Sequence, residues 1–436
     1  MTSVPEHEAV DIAQRLIRLD TSNFGDGTGP GERTAAEYVA ELLSDVGYEP
    51  TIVESEPRRS TVLLRIPGRE PGLGALVVHG HTDVVPAHAP DWRIDPFAGA
   101  IEEGMLWGRG AVDMKDMDGM MLAVVRDMAR NGWQPRRDII LALFADEEAG
   151  GRKGSHWVVD HHPEIFEGAT DAISEVGGYS VTIDGRRAYL VQTAEKGLHW
   201  MRLLARGTAG HGSLVNEDNA VTRLAGAVHR IGTYAWPVHL THTVRALLDG
   251  VADLTGTTYD PEDQESIFRL IDSLGPTGAF VRATVMTGVN PTRLDAGYKA
   301  NVVPGAASAA LDMRCIPGTE EDAIATLKRL AGPGVEFEDI NRDIGLEVPF
   351  DGEFVDAMVA ALQAEDPGAA VLPYMLSAGT DNKALSRLGI RGYGFTPLLL
   401  PPEMDFAGMF HGVDERVPVD AIHFGVRTLT HLLRHG

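Results

Sequence analysis

Residues 137–148 read RDIILALFADEE, an apolar body that breaks into three consecutive carboxylates. A strand that is apolar on both faces is covered on both faces, which calls for a sheet with helices packed above and below it. Adjacent like charges at a buried strand end are costly unless something offsets them. Asp146, Glu147 and Glu148 therefore constrain the fold and pose a chemical question at one place.

The surrounding sequence keeps the same rhythm. Residues 33–47 have helical apolar spacing and stop at Gly47. STVLLRIPG (60–68) and GALVVHGHTDVVP (74–86) read as strands, and a Met-rich helix is expected over 116–131. Near residue 195 the texture changes. GLHWMRLLARG (197–207) and SAALDMRCIPG (308–318) alternate apolar and polar residues, as half-buried strands do. Helices are expected at 219–232 and 320–332. From about 345 the first texture returns, with helices at 354–362 and near 420–434. A chain of 436 residues is too long for one ordinary core. The expectation is a catalytic domain in two segments, 1–194 and 345–436, interrupted by an inserted α+β domain at 195–344. Residues 233–290, rich in Gly, Thr and Asp, read as long and irregular.

Composition excludes several classes. The formal net charge is −25, the wrong sign for nucleic acid or an anionic membrane surface. The single cysteine, Cys315, rules out an internal disulfide and a Cys-based zinc cluster. The N-terminus lacks a secretory signal, and no run approaches the roughly 20 apolar residues of a membrane span. A soluble, cytoplasmic protein is the expectation.

Several polar groups stand where strands end, and in open α/β sheets ligands bind outside the carboxyl ends of strands. His81 follows one strand; Asp83 could accept its second ring N–H and fix the tautomer. Asp113, after Gly108 and Gly110, could cap a helix or bridge two metals. Glu147 and Glu148 could be a solvated acidic turn, or one could ligate a cation while the other moves a proton. AISEVGGYS (172–180) repeats the pattern with Glu175, and His411 lies in a Gly-flanked loop. A lone His is more often a structural hydrogen-bonder than a ligand. As a set, His81, Asp113, Glu148, Glu175 and His411 would suit two zinc ions sharing one carboxylate. A dinucleotide reading fails because G-x-G-x-x-G spacing is absent.

The motifs HGHTD, GRGAVDMK, DEE, SEVGG, AGHGS and a late FHG, in that order, resemble the zinc aminoacylase and carboxypeptidase family. That family includes glutamate carboxypeptidase, acetylornithine deacetylase and succinyl-diaminopimelate desuccinylase. GLHWMRLLARGTAGHGS and GYKANVVPGAASAALDMRCIPG are most similar to its carboxypeptidase S branch. The resemblance implies an α/β di-zinc catalytic domain with a mixed, largely parallel sheet flanked by helices. It implies that the insert is an α+β lid, hinged near 195 and 345, that often also forms a homodimer. It assigns His81, Asp113, Glu148, Glu175 and His411 to two Zn2+ per chain, with Asp113 bridging; Co2+ or Mn2+ would suit these donors too. Asp83 would orient His81, and Glu147 would be the general base. His211 would stabilise the transition state, and Arg314 and Asn301 would hold substrate. Gly379, Thr380 and Asp381 would lie in the loop approaching the substrate carboxylate. The implied reaction is hydrolysis of an amide beside a free carboxylate, in a dipeptide or at a C-terminal residue. The alternatives are an aminoacylase acting on N-acyl amino acids and a non-catalytic metal-binding homologue. Two departures stand out: Asp116 and Val176 occupy positions where the family commonly has glycine. Asp146 acquires no role beyond expected support.

Overall fold

The computed structural model describes residues 4–274 and 276–436. The chain divides into two compact units. The first comprises Met1–Thr193, Val348–Pro373 and Thr380–Gly436; the second comprises Ala194–Glu347 and Tyr374–Gly379.

The first unit is built on a mixed sheet whose centre is parallel. Ile139–Phe144, Ala75–His81, Ala169–Ser174 and Arg391–Gly394 lie side by side in that order, each parallel to the next. The hairpin Thr51–Glu56 and Arg59–Ile66 extends the sheet antiparallel to Ile139–Phe144. On the other side Arg186–Glu195 runs antiparallel to Arg391–Gly394 and pairs in turn with Tyr179–Ile183. All six residues of Ile139–Phe144 are buried, as expected of a strand sandwiched between helical layers. Alternate residues Ala75, Val77, Ile140, Ala142 and Phe144 pack with Val158, Val159, Ala384 and Leu385 from the short helices Ser155–His161 and Asn382–Ser386. Lys115–Asn131 comes close to Gly80, where an added Cβ would lie 2.4 Å from Asp118 Oδ1 and 2.8 Å from Met121 Cε. Glycine between two histidines is thus a packing requirement.

Register positions the chemistry. His81 lies opposite Phe144, and Val78 opposite Ile173. Three adjacent parallel strands therefore end nearly level. His81, the acids after Phe144 and Glu175 after Ser174 emerge along one sheet edge.

The second unit holds a four-stranded antiparallel sheet in the order Gly288–Ala296, Ala306–Cys315, Gly197–Arg206, Val335–Asp343. Met201, Leu203, Leu311 and Met313 on one face pack against Leu224, Ile231 and Leu327 of the helices Ala220–Gly232 and Glu320–Ala331. Cys315 is buried in this cluster. The expectation of an irregular 233–290 segment is corrected. His242–Thr255, Gln264–Asp272 and Pro276–Arg282 are helices. Thr241 and Asp263 cap the first two through their side chains, and Gly256 ends the first in a left-handed conformation. Among the described residues, no helix is long and apolar enough to cross a membrane.

Candidate metal centre

Two sets of ligand atoms converge at that sheet edge. His81, Asp113 and Glu175 form one, and Asp113, Glu148 and His411 the other; within each set the atoms lie within 4.8 Å of one another. Asp113 belongs to both. Its Oδ1 is 3.1 Å from His81 Nε2, and its Oδ2 is 3.2 Å from His411 Nε2. His81 Nε2 is 3.6 Å from Glu175 Oε2, and His411 Nε2 is 3.0 Å from Glu148 Oε2. Asp113 caps no helix, since Met114 precedes Lys115–Asn131. These nitrogen and carboxylate donors, split over the two oxygens of one acid, suit a pair of divalent cations.

The electrostatics point the same way. Burial pushes Glu175 up to about 8. Glu147 and Glu148 are raised too, first by burial, then by the charges of Glu175 and Asp113 respectively. Hydrogen bonds to Asp113 and Glu148 push His411 up to about 10. Burial also works on Asp113, but hydrogen bonds from His411 and His81 outweigh it and hold the carboxyl low. A concentration of carboxylates with only two imidazoles among them is relieved by bound positive charge.

Glu147 belongs to neither ligand set and is only half-buried. Asp83 fixes its backbone. The Asp83 carboxylate accepts from Glu147 N at 3.1 Å (Oδ1) and from Glu148 N at 3.2 Å (Oδ2). Asp83 Oδ1 also lies 3.6 Å from His81 Nδ1, while the Asp83 carbonyl is nearer to that ring nitrogen, at 3.0 Å. One buried acid thus steadies both the acidic pair and the imidazole. His79, two residues before His81, lies outside both sets; its Nε2 is 2.9 Å from Asn382 Oδ1, and burial pushes its ring down to about 4.

Asp146, which the sequence left without a role, is structural. Its backbone is left-handed at φ 66°, and its carboxylate accepts from Asn23 Nδ2 (3.2 Å) and Lys153 N (2.9 Å). Asn23 Nδ2 also donates to Asp83 Oδ2 at 2.9 Å, and Arg59 Nη2 donates to Asn23 Oδ1 at 3.0 Å. Arg59 pairs with the buried Glu32. Sequence reasoning missed Asn23, Arg59 and Glu32, which no spacing ties to the motifs. It also missed Arg109, although that residue sits inside GRGAVDMK, and Glu415, three residues after the FHG motif.

The two departures are resolved locally. Asp116 lies in the first helical turn, is fully buried and accepts from Met117 N at 2.8 Å. Val176, directly after Glu175, has φ 57°. A β-branched residue in that region is strained, which explains why glycine suits the position.

The remaining predicted residues are distributed between the units. Thr380 and Asp381 belong to the first and are buried; Asp381 accepts from Ser155 Oγ. Gly379 belongs to the second. So do His211 and Asn301, which neighbour each other: Gly212 N donates to Asn301 O at 2.9 Å. His211 is exposed, its Nδ1 2.8 Å from Ser213 Oγ. Arg314 is on the half-exposed face of Ala306–Cys315, where Asp312 engages its Nε at 2.7 Å and its Nη2 at 3.2 Å.

Comparison with known proteins agrees with this geometry. Residues 77–435 match the model of peptidase family M20/M25/M40. Aminoacylase-1 of Sus scrofa is 28% identical over 98% of this chain and 95% of its own length. Aminoacylase-1 of Homo sapiens is 26% identical with the same coverage. Among solved structures, the M20 family metallo-carboxypeptidase Sso-CP2 from Sulfolobus solfataricus superposes with a TM-score of 0.75 at 17% identity, covering 98% of this chain and 99% of that one. The di-peptidase Dug1p from Saccharomyces cerevisiae gives 0.70 at 16%, covering 99% and 98%. The chain belongs to peptidase family M20/M25/M40, a family of metal-dependent hydrolases, and is itself a hydrolase.

Proposed function

We propose that the chain hydrolyses an amide bond next to a free carboxylate, using a pair of divalent cations, zinc by expectation, held by His81, Asp113, Glu148, Glu175 and His411. The observation that carries this reading is the sharing of Asp113 between two ligand sets with an unligating acid, Glu147, beside them. Bound there, the cations would supply Lewis acidity, polarising the scissile carbonyl and making water a stronger acid.

The chain's own residues do the rest. Glu147, held at its backbone by Asp83, takes a proton from the attacking water and returns it to the leaving amine. Its two neighbours have other duties: Glu148 is a ligand and Asp146 braces the turn. Asp83 holds the His81 ring so that Nε2 faces the ligand set. His211 is proposed as a donor to the developing oxyanion. Arg314, with Asn301, Gly379 and Thr380, is proposed to receive the substrate carboxylate, a role for which a guanidinium is shaped.

N-acyl amino acids are the favoured substrate class, because the aminoacylases align over nearly the whole chain. Dipeptides are the second reading, supported by fold similarity to a di-peptidase. A panel of both, with carboxylate-blocked controls, separates them. Glu147→Gln should retain its metal and lose at least about 100-fold in turnover. Full activity in a metal-loaded Glu147→Gln would refute the assignment, and equal hydrolysis of blocked and free substrates would refute the carboxylate requirement.

A further inference from the structure

The buried acid Glu415 ligates nothing in either set, yet its carboxylate holds the backbone of the loop that supplies Asp113 and pairs with Arg109, which reaches the loop that supplies His411. Its side chain is fully buried. Glu415 Oε1 accepts from Val112 N at 2.7 Å and Asp113 N at 3.2 Å. Glu415 Oε2 accepts from Gly110 N at 3.1 Å and from Arg109 Nη1 at 2.6 Å. Arg109 turns back to the other loop, its Nη2 donating to Gly412 O at 3.0 Å and to His411 O at 3.4 Å. Its guanidinium stacks over Trp92, 5.0 Å from the ring centroid. One ion pair thus joins 108–113 to 411–415, segments about three hundred residues apart in sequence.

We infer that Glu415 and Arg109 are positioning residues that set the spacing between Asp113 and His411, and hence the affinity of one cation, the one held by Asp113, Glu148 and His411. The inference rests on the proposed metal pair. Asp113 is anchored at its own amide, and His411, at φ 58° on an otherwise exposed loop, is anchored at its carbonyl. His81 ends one sheet strand, Glu175 follows another, and neither receives any of these bonds. Disturbing the pair should therefore act unequally on the two positions.

Glu415→Gln keeps the size of the side chain but turns one acceptor into an NH2 group among four donors. Arg109→Lys keeps the buried charge but cannot reach Glu415 and both carbonyls together. Partners that orient metal ligands are typically worth 10–100-fold in affinity. Purified wild type and variants are dialysed against buffered Zn2+ at graded free concentrations and assayed for bound zinc by mass spectrometry. Co2+ absorption and thermal melting run in parallel, with His411→Ala as the reference for loss of one position. Expected are two zinc equivalents in the wild type. Both variants should show one equivalent weakened about 10–100-fold and the other, which shares only Asp113 with the disturbed loops, weakened less, with a cooperative melt. Because Arg109→Lys keeps a cation in place, it carries the test if Glu415→Gln does not fold. Two wild-type equivalents in a variant overturn the inference, as does equal weakening of both. A wild type that takes up fewer than two overturns the metal-pair reading, and this inference with it.

Discussion

Asn23 offers a sharp test of how the acids at the sheet edge are held. Its amide nitrogen lies 2.9 Å from Asp83 Oδ2 and 3.2 Å from Asp146 Oδ1, and its oxygen 3.0 Å from Arg59 Nη2. Asn23→Asp preserves the shape and replaces the donor with an oxygen facing two carboxylates. At about 3 Å and an effective dielectric of about 20, each repulsion is roughly 5–6 kcal/mol. Attraction to Arg59 cancels one of them, leaving about 5 kcal/mol. The new acid can instead take up a proton, which caps the electrostatic cost near 4 kcal/mol at neutral pH for an ordinary carboxyl pKa of about 3.9. Once protonated it can donate to only one of the two acids, so a lost charge-assisted hydrogen bond adds about 1.5–3 kcal/mol. The folded state then binds a proton that the unfolded state does not, so the variant's relative stability must fall as pH rises. Urea unfolding from pH 4.5 to 7.5 should show the deficit widening by about 1.4 kcal/mol per pH unit until ionisation takes over. A deficit independent of pH, or none at all, would refute the claim that Asn23 is the donor separating these acids.

Three further outcomes are expected. Val176→Gly should raise stability by about 0.5–1 kcal/mol, since relief of the left-handed strain outweighs the entropy cost of glycine; an unfolding midpoint below wild type would contradict this. Chelation with EDTA should lower the melting temperature and added Zn2+ should restore it, with about 2.7 kcal/mol of stabilisation at a hundredfold excess over Kd; an unaltered melt would argue against the metal pair. Glu8 pairs with Arg126 at 2.8 Å and also with Arg130; burial opposes its charge, but these partners prevail and lower its pKa below 4.5. Its contribution is therefore complete above 4.5 and disappears as pH falls through the lower folded value. Glu8→Gln should cost roughly 2–3 kcal/mol at neutral pH and flatten the acid limb of the stability curve, whereas parallel acid limbs would count against it.

What the sequence disclosed follows the range of the forces involved. The apolar body of 139–144 and the alternation of 197–206 report burial residue by residue, so the sheet types were legible. His81, Glu148, Glu175 and His411 stood out as candidates because each lies near a glycine or a strand end, and Asp113 because it follows a glycine-rich turn and leads into a helix. The helices of 233–290 also left a local signal: Thr241 before an apolar-periodic stretch and Gly256 behind it. That signal was obscured by the polar, Gly- and Thr-rich composition around it. Asn23, Arg59 and Glu32 were out of reach for another reason. Their value comes from a run of contacts, Glu32 to Arg59 to Asn23 to Asp83 and Asp146, whose partners are 27 to 123 residues apart, and nothing local distinguishes them.

These distant groups explain how one strand end can carry three acids with three duties. Asp146 is engaged by Asn23 and Lys153 N, so its oxygens are committed to the turn. Glu148 faces His411 and belongs to a ligand set. Glu147 is the exception: its backbone is tied to Asp83, while its carboxylate joins neither ligand set. A group that must gain and lose a proton in every turnover cannot also be locked in a charge-assisted bond, because that bond would fix its protonation state. Asn23, Asp83 and Arg59 thus immobilise the chain beneath Glu147 without engaging the carboxylate itself. Three consecutive carboxylates can take different duties because their backbones and neighbours differ, and the proposed general base, Glu147, is the one whose support stops at the main chain.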